Sequence, residues 1–315
     1  MKEISSEQNR LILAATAEGH IRLPPAAIEK DILLTEILNE LYRNFRTNYS
    51  IALCGGTSLV KCFGVVKRMS EDLDFKLIGL SGSDGRLSKG SLSKLKGELE
   101  ESFIGQGFII LNDGANNSNK HFYFDLQYKS TFDQDASLRE TIKIEFTVSD
   151  AYHATSIIPS QTLLYKELAR PEDNAKVNCI SIEQTIAEKV LSFLRKSNRT
   201  IDHDPRIIRH IYDVNKILTL NPKLDIIVHC FSEAYFEDEE KFGKSNFENI
   251  SDFIDKNLFR IRSDHNLESD FNSFVHVLTF EESMNFNDQL EGFVELAELI
   301  AVSYTHLTLP TICSV

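Results

Sequence analysis

The chain has 315 residues, enough for one large domain or two ordinary ones with a buried core. Its 42% hydrophobic and 26% charged residues are typical of a globular protein and exclude a disordered or fibrous chain. It contains no run of about 18 apolar residues, so we expect no membrane span and no membrane partner. The polar beginning lacks the apolar core of a signal peptide, which predicts a cytoplasmic location.

The net charge of −13 is concentrated in one part of the sequence. Residues 231–300 contain 17 Asp and Glu against 5 Lys and Arg, which is −12, so the remainder is nearly neutral. A strongly acidic protein would repel nucleic acid, but this acidity belongs to a single region. The net charge therefore does not exclude nucleic-acid binding by the rest of the chain.

The cysteines predict reduced thiols. Their number is odd, they are scattered, and they never form a Cys-x-x-Cys pair. This spacing argues against both a disulfide framework and a structural zinc site. The five positions are Cys54, Cys62, Cys179, Cys230 and Cys313.

Apolar periodicity and turn residues predict alternating helices and strands in the first half of the chain. The predicted helices cover residues 26–45, 57–63 and 92–104. The predicted strands cover residues 51–54, 73–78, 108–111, 122–128 and 141–148. The polar stretches 79–90, 112–120 and 130–137 are predicted to be loops.

From about residue 160 the periodicity is helical. The predicted helices there cover residues 163–169, 182–194, 207–218 and 290–300. This order of elements predicts an α+β fold, with a mixed sheet and flanking helices over residues 1–155 and an all-helical domain over residues 156–301. Residues 302–315 continue no pattern and resemble translated sequencing-adapter sequence, so we interpret them as a non-native tail.

A glycine motif follows the first predicted strand, and it comprises Gly55, Gly56, Thr57 and Ser58. Two glycines between a strand and a helix allow a tight turn and a close approach to a ligand. The unpaired N–H groups at the start of the next helix suit a phosphate, and the Thr57 or Ser58 hydroxyl can add a contact. These four residues are therefore candidate nucleotide-binding residues.

A pair of carboxylates lies at the start of the next predicted strand. Asp72 and Asp74 are two residues apart, so they share one face of the strand while Leu73 and Phe75 point to the core. Adjacent carboxylates repel unless a cation neutralises them, and oxygen-only ligands suit Mg²⁺ or Mn²⁺. Glu145 is predicted to face outward on a neighbouring strand. Three such acids can hold two ions roughly 3.5–4 Å apart. The simpler alternative is a group of exposed strand acids beside a turn.

The glycine motif, together with residues 68–75, resembles motif one of the AbiEii/AbiGii nucleotidyltransferase toxins of the DNA polymerase β-like superfamily. Residues 181–189 resemble the Glu-Lys motif of that family, and residues 209–213 resemble its Arg-x-x-Tyr-Asp motif. Residues 28–31 resemble its N-terminal helix. The resemblance covers about residues 20–220, and it implies that the first domain is a nucleotidyltransferase domain.

The resemblance implies a function. An enzyme of this family would transfer a nucleoside monophosphate from a nucleoside triphosphate to an RNA hydroxyl, for example at the 3′ end of a tRNA, and release pyrophosphate. It would be the toxin of a toxin–antitoxin system, controlled by a cognate antitoxin. By resemblance, Asp72, Asp74, Lys189 and Asp213 are catalytic, and Lys189 contacts the triphosphate. Asp72, Asp74 and Glu145 would hold Mg²⁺ or Mn²⁺.

Other interpretations of the later motifs stay open. Lys189 also fits a surface lysine paired with an acid, and Asp213 lies four residues from Arg209, so these two can pair along one helix. Ser181 and Gln184 are predicted to form a capping box at the start of a helix. A cluster of basic residues has two interpretations: it can bind RNA phosphates, or it can be an ordinary solvent-exposed surface. Its members are Arg195, Lys196, Arg199, Arg206, Arg209 and Lys216.

Two alternatives also remain for the protein as a whole. The same site can transfer a nucleotide or a phosphate to a protein side chain instead of RNA. The chain can also be an inactive nucleotide-binding module whose acidic C-terminal helices bind a partner.

Overall fold

The computed structural model describes residues 1–45, 49–79, 88–133, 138–196, 205–242, 249–280 and 284–308. Contacts divide the chain into two compact units. The first comprises Met1–Ala151 and Thr155–Ile180, and the second comprises Tyr152–Ala154 and Ser181–Val315. Much of the two predicted loops over 79–90 and 130–137 lies outside the described residues, as do Arg199 and Cys313. No helix in the described ranges is both long and apolar enough to cross a membrane.

The first unit combines a sheet with five helices in its described part. The helices are α1 (Ser6–Ala17), α2 (Pro25–Arg43), α3 (Gly55–Lys61), α4 (Lys89–Gly105) and α5 (Leu163–Glu167). The strands are β1 (Ser50–Cys54), β2 (Asp72–Ile78), β3 (Ile109–Asn116), β4 (His121–Gln127), β5 (Thr141–Val148), β6 (Ser156–Pro159) and β7 (Lys176–Cys179). They form a sheet in the order β3-β4-β5-β2-β1-β7-β6. Strand β2 runs parallel to β5 and antiparallel to β1, so the sheet is mixed, as the α+β prediction requires.

One face of this sheet is apolar because buried and partly exposed residues alternate along the central strands. The rings of Phe75, Phe146 and Phe122 stack in a row across β2, β5 and β4, with successive centroids 5.0 Å apart. Phe103 of α4 packs edge-on against Phe124 at 5.3 Å. Burying these rings removes a large apolar area from water, so this face carries much of the core of the unit.

The sequence analysis missed several elements of the first unit. Helix α1 was not predicted, although Ser5 and Gln8 form a capping box at its start. Strand β3 continues to Asn116, into the predicted loop over 112–120, because it pairs with β4 along the edge of the sheet. Strands β6 and β7 have four residues each, too few to show a period of two. They add to the sheet beside β1, so the first unit ends after β7 rather than at the expected boundary at 155.

Helix α2 buries three consecutive charged residues, Glu29, Lys30 and Asp31. Pro24 and Pro25 start the helix, where a missing N–H costs nothing. The Asp31 carboxylate accepts from Lys61 Nζ of α3 at 2.7 Å and from the backbone N–H of Leu163 at 2.8 Å. Asp31 therefore joins α2 to α3 and to the start of α5.

The other two charges reach different segments. The Glu29 carboxylate accepts from the Ser130 hydroxyl at 2.6 Å and from the Thr131 N–H at 2.8 Å. Lys30 donates to the Glu71 carboxylate at 3.0 Å. Burial lowers the pKa of Lys30, and the negative charge of Glu71 opposes that shift. The three charges thus connect α2 to the segment after β4, to the residue before β2 and to α3.

The second unit is helical in its described part. It contains α6 (Ile182–Lys196), a 3-10 turn (Pro205–Ile208), α7 (Arg209–Leu218), α8 (Leu224–Phe242), α9 (Ile250–Arg262), α10 (Leu267–Leu278) and α11 (Phe286–Thr308). Its core includes Phe193 of α6 against Phe293 of α11, at 4.9 Å between ring centroids. Helix α11 continues into the segment interpreted as a tail, where the Thr305 and Ser251 hydroxyls lie 2.9 Å apart.

The described residues include four cysteine thiols. Of these four, Cys62, Cys179 and Cys230 are buried, and Cys54 is partly exposed. The three buried cysteines behave as small apolar residues of the core.

We predict that Asp31→Asn destabilises the protein by about 3–5 kcal/mol, because it leaves the Lys61 ammonium buried without its counter-charge. The side chains of Lys61 and Asp31 are only 1% and 2% exposed. The measurement is urea unfolding followed by circular dichroism. Lys94→Gln is the control, because it removes an exposed ion pair with Glu98 and should cost less than about 1 kcal/mol. Equal losses in the two variants would contradict the structural role of the buried pair.

Candidate active site

The glycine motif forms the junction between β1 and α3. Gly55 has a φ of +71°, a conformation that favours glycine. A Cβ at Gly55 would lie 2.9 Å from Asp74 Oδ2, and a Cβ at Gly56 would collide with the Arg68 guanidinium. Both glycines therefore leave room for a charged side chain from another segment. The junction is built around Asp74 on one side and Arg68 on the other.

The two hydroxyl residues of the motif are buried and bonded within the protein. Thr57 Oγ1 lies 2.8 Å from Ser70 Oγ and also donates to the carbonyl of Asp72. Ser58 Oγ donates to the carbonyl of Gly55 at 2.9 Å. Thr57 therefore ties α3 to the segment that enters β2, and Ser58 stabilises the turn itself. Their observed hydrogen bonds position the motif and the carboxylate strand relative to each other.

Asp72 and Asp74 share the polar face of β2. Both are partly exposed, whereas Leu73 and Phe75 between and beyond them are buried. Asp74 is the register partner of Glu145 on β5, and parallel partners point to the same face of a sheet. The sequence prediction that these acids lie on neighbouring strands with a common direction agrees with this register.

The polar partners of Glu145 differ from those of the aspartates. Its Oε1 lies 3.0 Å from Lys143 Nζ and 3.4 Å from His121 Nε2. Within the described residues, no group of three or more His, Cys, Asp or Glu side chains is arranged to hold a metal ion. Asp72 and Asp74 are the two carboxylates that the polar face of β2 brings together. Mg²⁺ commonly binds through one or two carboxylates and completes its shell with water and substrate phosphates.

Arg139, which the sequence analysis did not single out, lies against this pair. Its Nη1 is 3.1 Å from Asp72 Oδ1. Its backbone N–H donates to the Glu71 carboxylate at 2.8 Å, and its carbonyl accepts from Lys30 Nζ at 2.7 Å. No local pattern marks Arg139, because its partners come from α2 and from the start of β2.

Lys189 and Asp213 form a buried ion pair in the second unit. Lys189 Nζ on α6 lies 2.6 Å from Asp213 Oδ2 on α7, and their side chains are 7% and 0% exposed. Lys189 is thus paired with an acid, as the alternative interpretation has it, but it is buried rather than at the surface. Ser181 starts α6 as predicted, since its hydroxyl accepts from the Gln184 N–H at 3.2 Å. The pair joins the two helices that carry the later family motifs.

His210 lies on α7, three residues before Asp213. Burial lowers the pKa of His210 well below its usual range, and the positive charge of Lys189 acts in the same direction. Its Nδ1 is buried and has no hydrogen-bond partner among the described residues. Burial therefore favours the neutral imidazole, and the Nδ1 atom of His210 is enclosed although the residue as a whole is partly exposed.

The structure describes part of the predicted basic cluster. Arg195 binds the Asp238 carboxylate of α8, and Lys216 lies over the Tyr212 ring at 5.4 Å from its centroid. Both side chains therefore make contacts within the second unit. These contacts favour a structural interpretation of Arg195 and Lys216 over an open phosphate-binding surface.

Comparisons with known proteins show which family and which fold this chain resembles. The family model for the nucleotidyl transferase AbiEii toxin of type IV toxin–antitoxin systems matches residues 36–292. Among solved structures, the chain is similar to MenT4, a nucleotidyltransferase toxin from Mycobacterium tuberculosis H37Rv. The TM-score is 0.63 and the sequence identity 16%, over 97% of this chain and 90% of that one. At this identity the likeness shows a common fold.

A second solved structure is the antibiotic-resistance factor ANT(2'')-Ia. It matches with a TM-score of 0.37 and 14% identity, over 67% of this chain and 93% of that one. This TM-score is too low to support an argument. No curated protein matches the sequence. The family model, however, spans most of the chain and contains the glycine motif, the carboxylate strand and the Lys189–Asp213 pair. The chain therefore belongs to the AbiEii nucleotidyltransferase toxin family of type IV toxin–antitoxin systems.

Proposed function

We propose that the protein transfers a nucleoside monophosphate from a nucleoside triphosphate to an RNA hydroxyl, with release of pyrophosphate. The observation that carries this proposal is the placement of Asp72 and Asp74 on one face of β2, with Asp74 against Gly55. A carboxylate pair beside a glycine turn suits a triphosphate with a divalent cation. Membership of a nucleotidyltransferase family supports the reaction class.

Asp72 and Asp74 are the residues that would hold Mg²⁺ or Mn²⁺. A cation bound there supplies positive charge that stabilises the transferring phosphate. Because Gly55 has no side chain, the Asp74 carboxylate lies directly against the glycine turn, and we propose that the phosphates lie at this junction. The acceptor oxygen forms a bond to the α-phosphorus while the bond to pyrophosphate breaks. Positioning and charge neutralisation supply most of the catalysis in such reactions.

Lys143 and Tyr123 support RNA as the acceptor. Both lie on the polar face of the sheet next to Glu145, with Lys143 Nζ 5.5 Å from the centroid of the Tyr123 ring. An aromatic ring beside a cation suits a base and a phosphate of a single-stranded nucleic acid. The 3′ end of a tRNA, expected from the family resemblance, is single-stranded. We propose it as the acceptor.

The roles of the remaining predicted residues are also proposals. Thr57 and Ser58 would contribute through the position of the turn, because their hydroxyls bond within the protein. Glu145 would assist as a neighbouring charge or as a third ligand. Lys189, on the family motif, would contact the triphosphate, and Asp213 would hold its amine in place. A cognate antitoxin, which membership of a type IV family implies, would control the activity.

The proposed function predicts that Asp72→Asn and Asp74→Asn each lower transfer by roughly 100-fold or more, because each removes charge from the site that neutralises the phosphates. The measurement uses purified protein, Mg²⁺, total RNA and each α-labelled nucleoside triphosphate in turn. Asp125→Asn is the matched control, because Asp125 lies on the same polar face but on β4. We expect this control to label small RNA like the wild type.

Each outcome of this labelling experiment has a distinct meaning. Label on RNA that disappears in both variants, but not in the Asp125 control, supports the proposal. Label on protein alone contradicts RNA as the acceptor and favours modification of a protein side chain. The absence of any label, with all four nucleotides, would indicate an inactive binding module.

The glycine turn predicts a second result. Gly55→Ala places a methyl group against the Asp74 carboxylate and strains a backbone with positive φ, so transfer should fall by more than about tenfold. Gly97→Ala is the control, because Gly97 lies within α4 and an added Cβ there meets no other atom within 4 Å. Alanine at this helical position should leave transfer unchanged and raise the unfolding midpoint slightly. Full activity of Gly55→Ala would contradict the proposed phosphate position.

A further inference from the structure

We propose that Arg139 is a nucleotide-binding residue that exchanges partners. In the nucleotide-free protein its guanidinium holds Asp72, and when a nucleoside triphosphate and a divalent cation bind, it moves from Asp72 to the triphosphate. This inference rests on the proposed function, because it requires that Asp72 and Asp74 bind the cation and the nucleotide. It adds a residue that lies outside the family motifs quoted above.

Two hydrogen bonds hold the main chain of Arg139, one at its N–H and one at its carbonyl. The Glu71 carboxylate accepts from its N–H at 2.8 Å, and Lys30 Nζ donates to its carbonyl at 2.7 Å. Lys30 and Glu71 also pair with each other at 3.0 Å, with side chains that are only 1% and 12% exposed. Because both members of this buried ion pair also bond to the main chain of Arg139, that main chain has little freedom to move. The Cα of Arg139 is therefore fixed next to Asp72.

The side chain of Arg139 has more freedom than its main chain. The distance from Nη1 to Asp72 Oδ1 is 3.1 Å, and the two side chains are 35% and 27% exposed. An ion pair that water reaches in this way contributes little net stability, so it can open at small cost. Arg139 thus has a fixed main chain and a guanidinium that can move, directly beside the candidate cation ligands.

The charges explain why the guanidinium would leave Asp72 when the nucleotide binds. A divalent cation on Asp72 neutralises the carboxylate that attracts Arg139 and repels the guanidinium. The incoming triphosphate offers several anionic oxygens, and the planar guanidinium matches phosphate with two parallel hydrogen bonds. Because the main chain stays in place, a change of side-chain rotamer is enough for Arg139 to exchange one partner for the other.

A purely structural role for Arg139 gives a different expectation. If the Arg139–Asp72 pair only stabilised the fold, its loss would lower the unfolding midpoint and would weaken metal and nucleotide binding together. The partner exchange instead requires opposite effects. Loss of the guanidinium removes a competitor for the Asp72 carboxylate but also removes a contact to the triphosphate.

The test measures Mn²⁺ and nucleotide binding separately in the full chain with Arg139→Gln. Mn²⁺ binding without nucleotide is followed by electron paramagnetic resonance, and we expect it to tighten by about two- to fivefold. Binding of the non-reactive α,β-methylene analogues of ATP, CTP, GTP and UTP is then measured by calorimetry with Mn²⁺ present. We expect the affinity for the preferred analogue to weaken by roughly tenfold or more.

Two further variants separate charge, geometry and folding. Arg139→Lys keeps the positive charge but lacks the planar fork, so its nucleotide affinity should lie between those of wild type and Arg139→Gln. It also serves as the test if Arg139→Gln lowers the unfolding midpoint. Arg43→Gln is the control, because it removes an exposed pair with Asp173 that involves neither Asp72 nor Asp74. We expect this control to bind Mn²⁺ and nucleotide like the wild type.

The outcomes distinguish this inference from the proposed function. Wild-type protein that binds none of the four analogues would contradict the proposed function itself. Wild-type protein that binds nucleotide, with unchanged affinity in Arg139→Gln, would overturn the role of Arg139 alone. Weaker or unchanged Mn²⁺ binding in Arg139→Gln would overturn it as well, because the exchange requires Arg139 to compete with the cation.

Discussion

Three consecutive charges on α2, Glu29, Lys30 and Asp31, are buried and must each find a partner inside the first unit. Burying a charge without a partner costs far more than a folded domain can tolerate. Each of these residues therefore requires a specific contact in the folded protein. Asp31 fixes α3 through Lys61, and Lys30 fixes the entry to β2 through Glu71. The buried charges of α2 therefore determine how the glycine junction and the carboxylate strand are held.

The chemistry follows from this arrangement. The Asp31 pair positions the helix that begins at Gly55, and the Lys30 pair ends at Glu71, the residue directly before Asp72. Two carboxylates on one polar face, close to the Gly55–Gly56 turn, suit a cation and the phosphates of a nucleotide. The same Lys30–Glu71 pair also fixes Arg139 beside Asp72. One set of buried charges thus links helix α2 to the proposed reaction site.

The sequence predicted those parts of the fold that depend on local pattern. The alternation of Asp72, Leu73, Asp74 and Phe75 placed the acids on one face of a strand, because period-two burial is visible in a few residues. Strand β7 was missed because its four residues form a strand only through their pairing with β6 and β1. The contact of Arg139 with Lys30 joins residues 109 positions apart, and no local pattern encodes it. Long-range pairs of this kind become visible only in the folded chain.

The central claim is that Asp72 and Asp74 hold the cation of a bound nucleoside triphosphate. The most direct test is a crystal structure with Mn²⁺ and a non-reactive α,β-methylene nucleotide, with diffraction data collected at the manganese edge. We expect an anomalous peak within coordination distance of both aspartates, with the phosphates next to Gly55. A bound nucleotide with its Mn²⁺ at any other set of side chains would contradict this account.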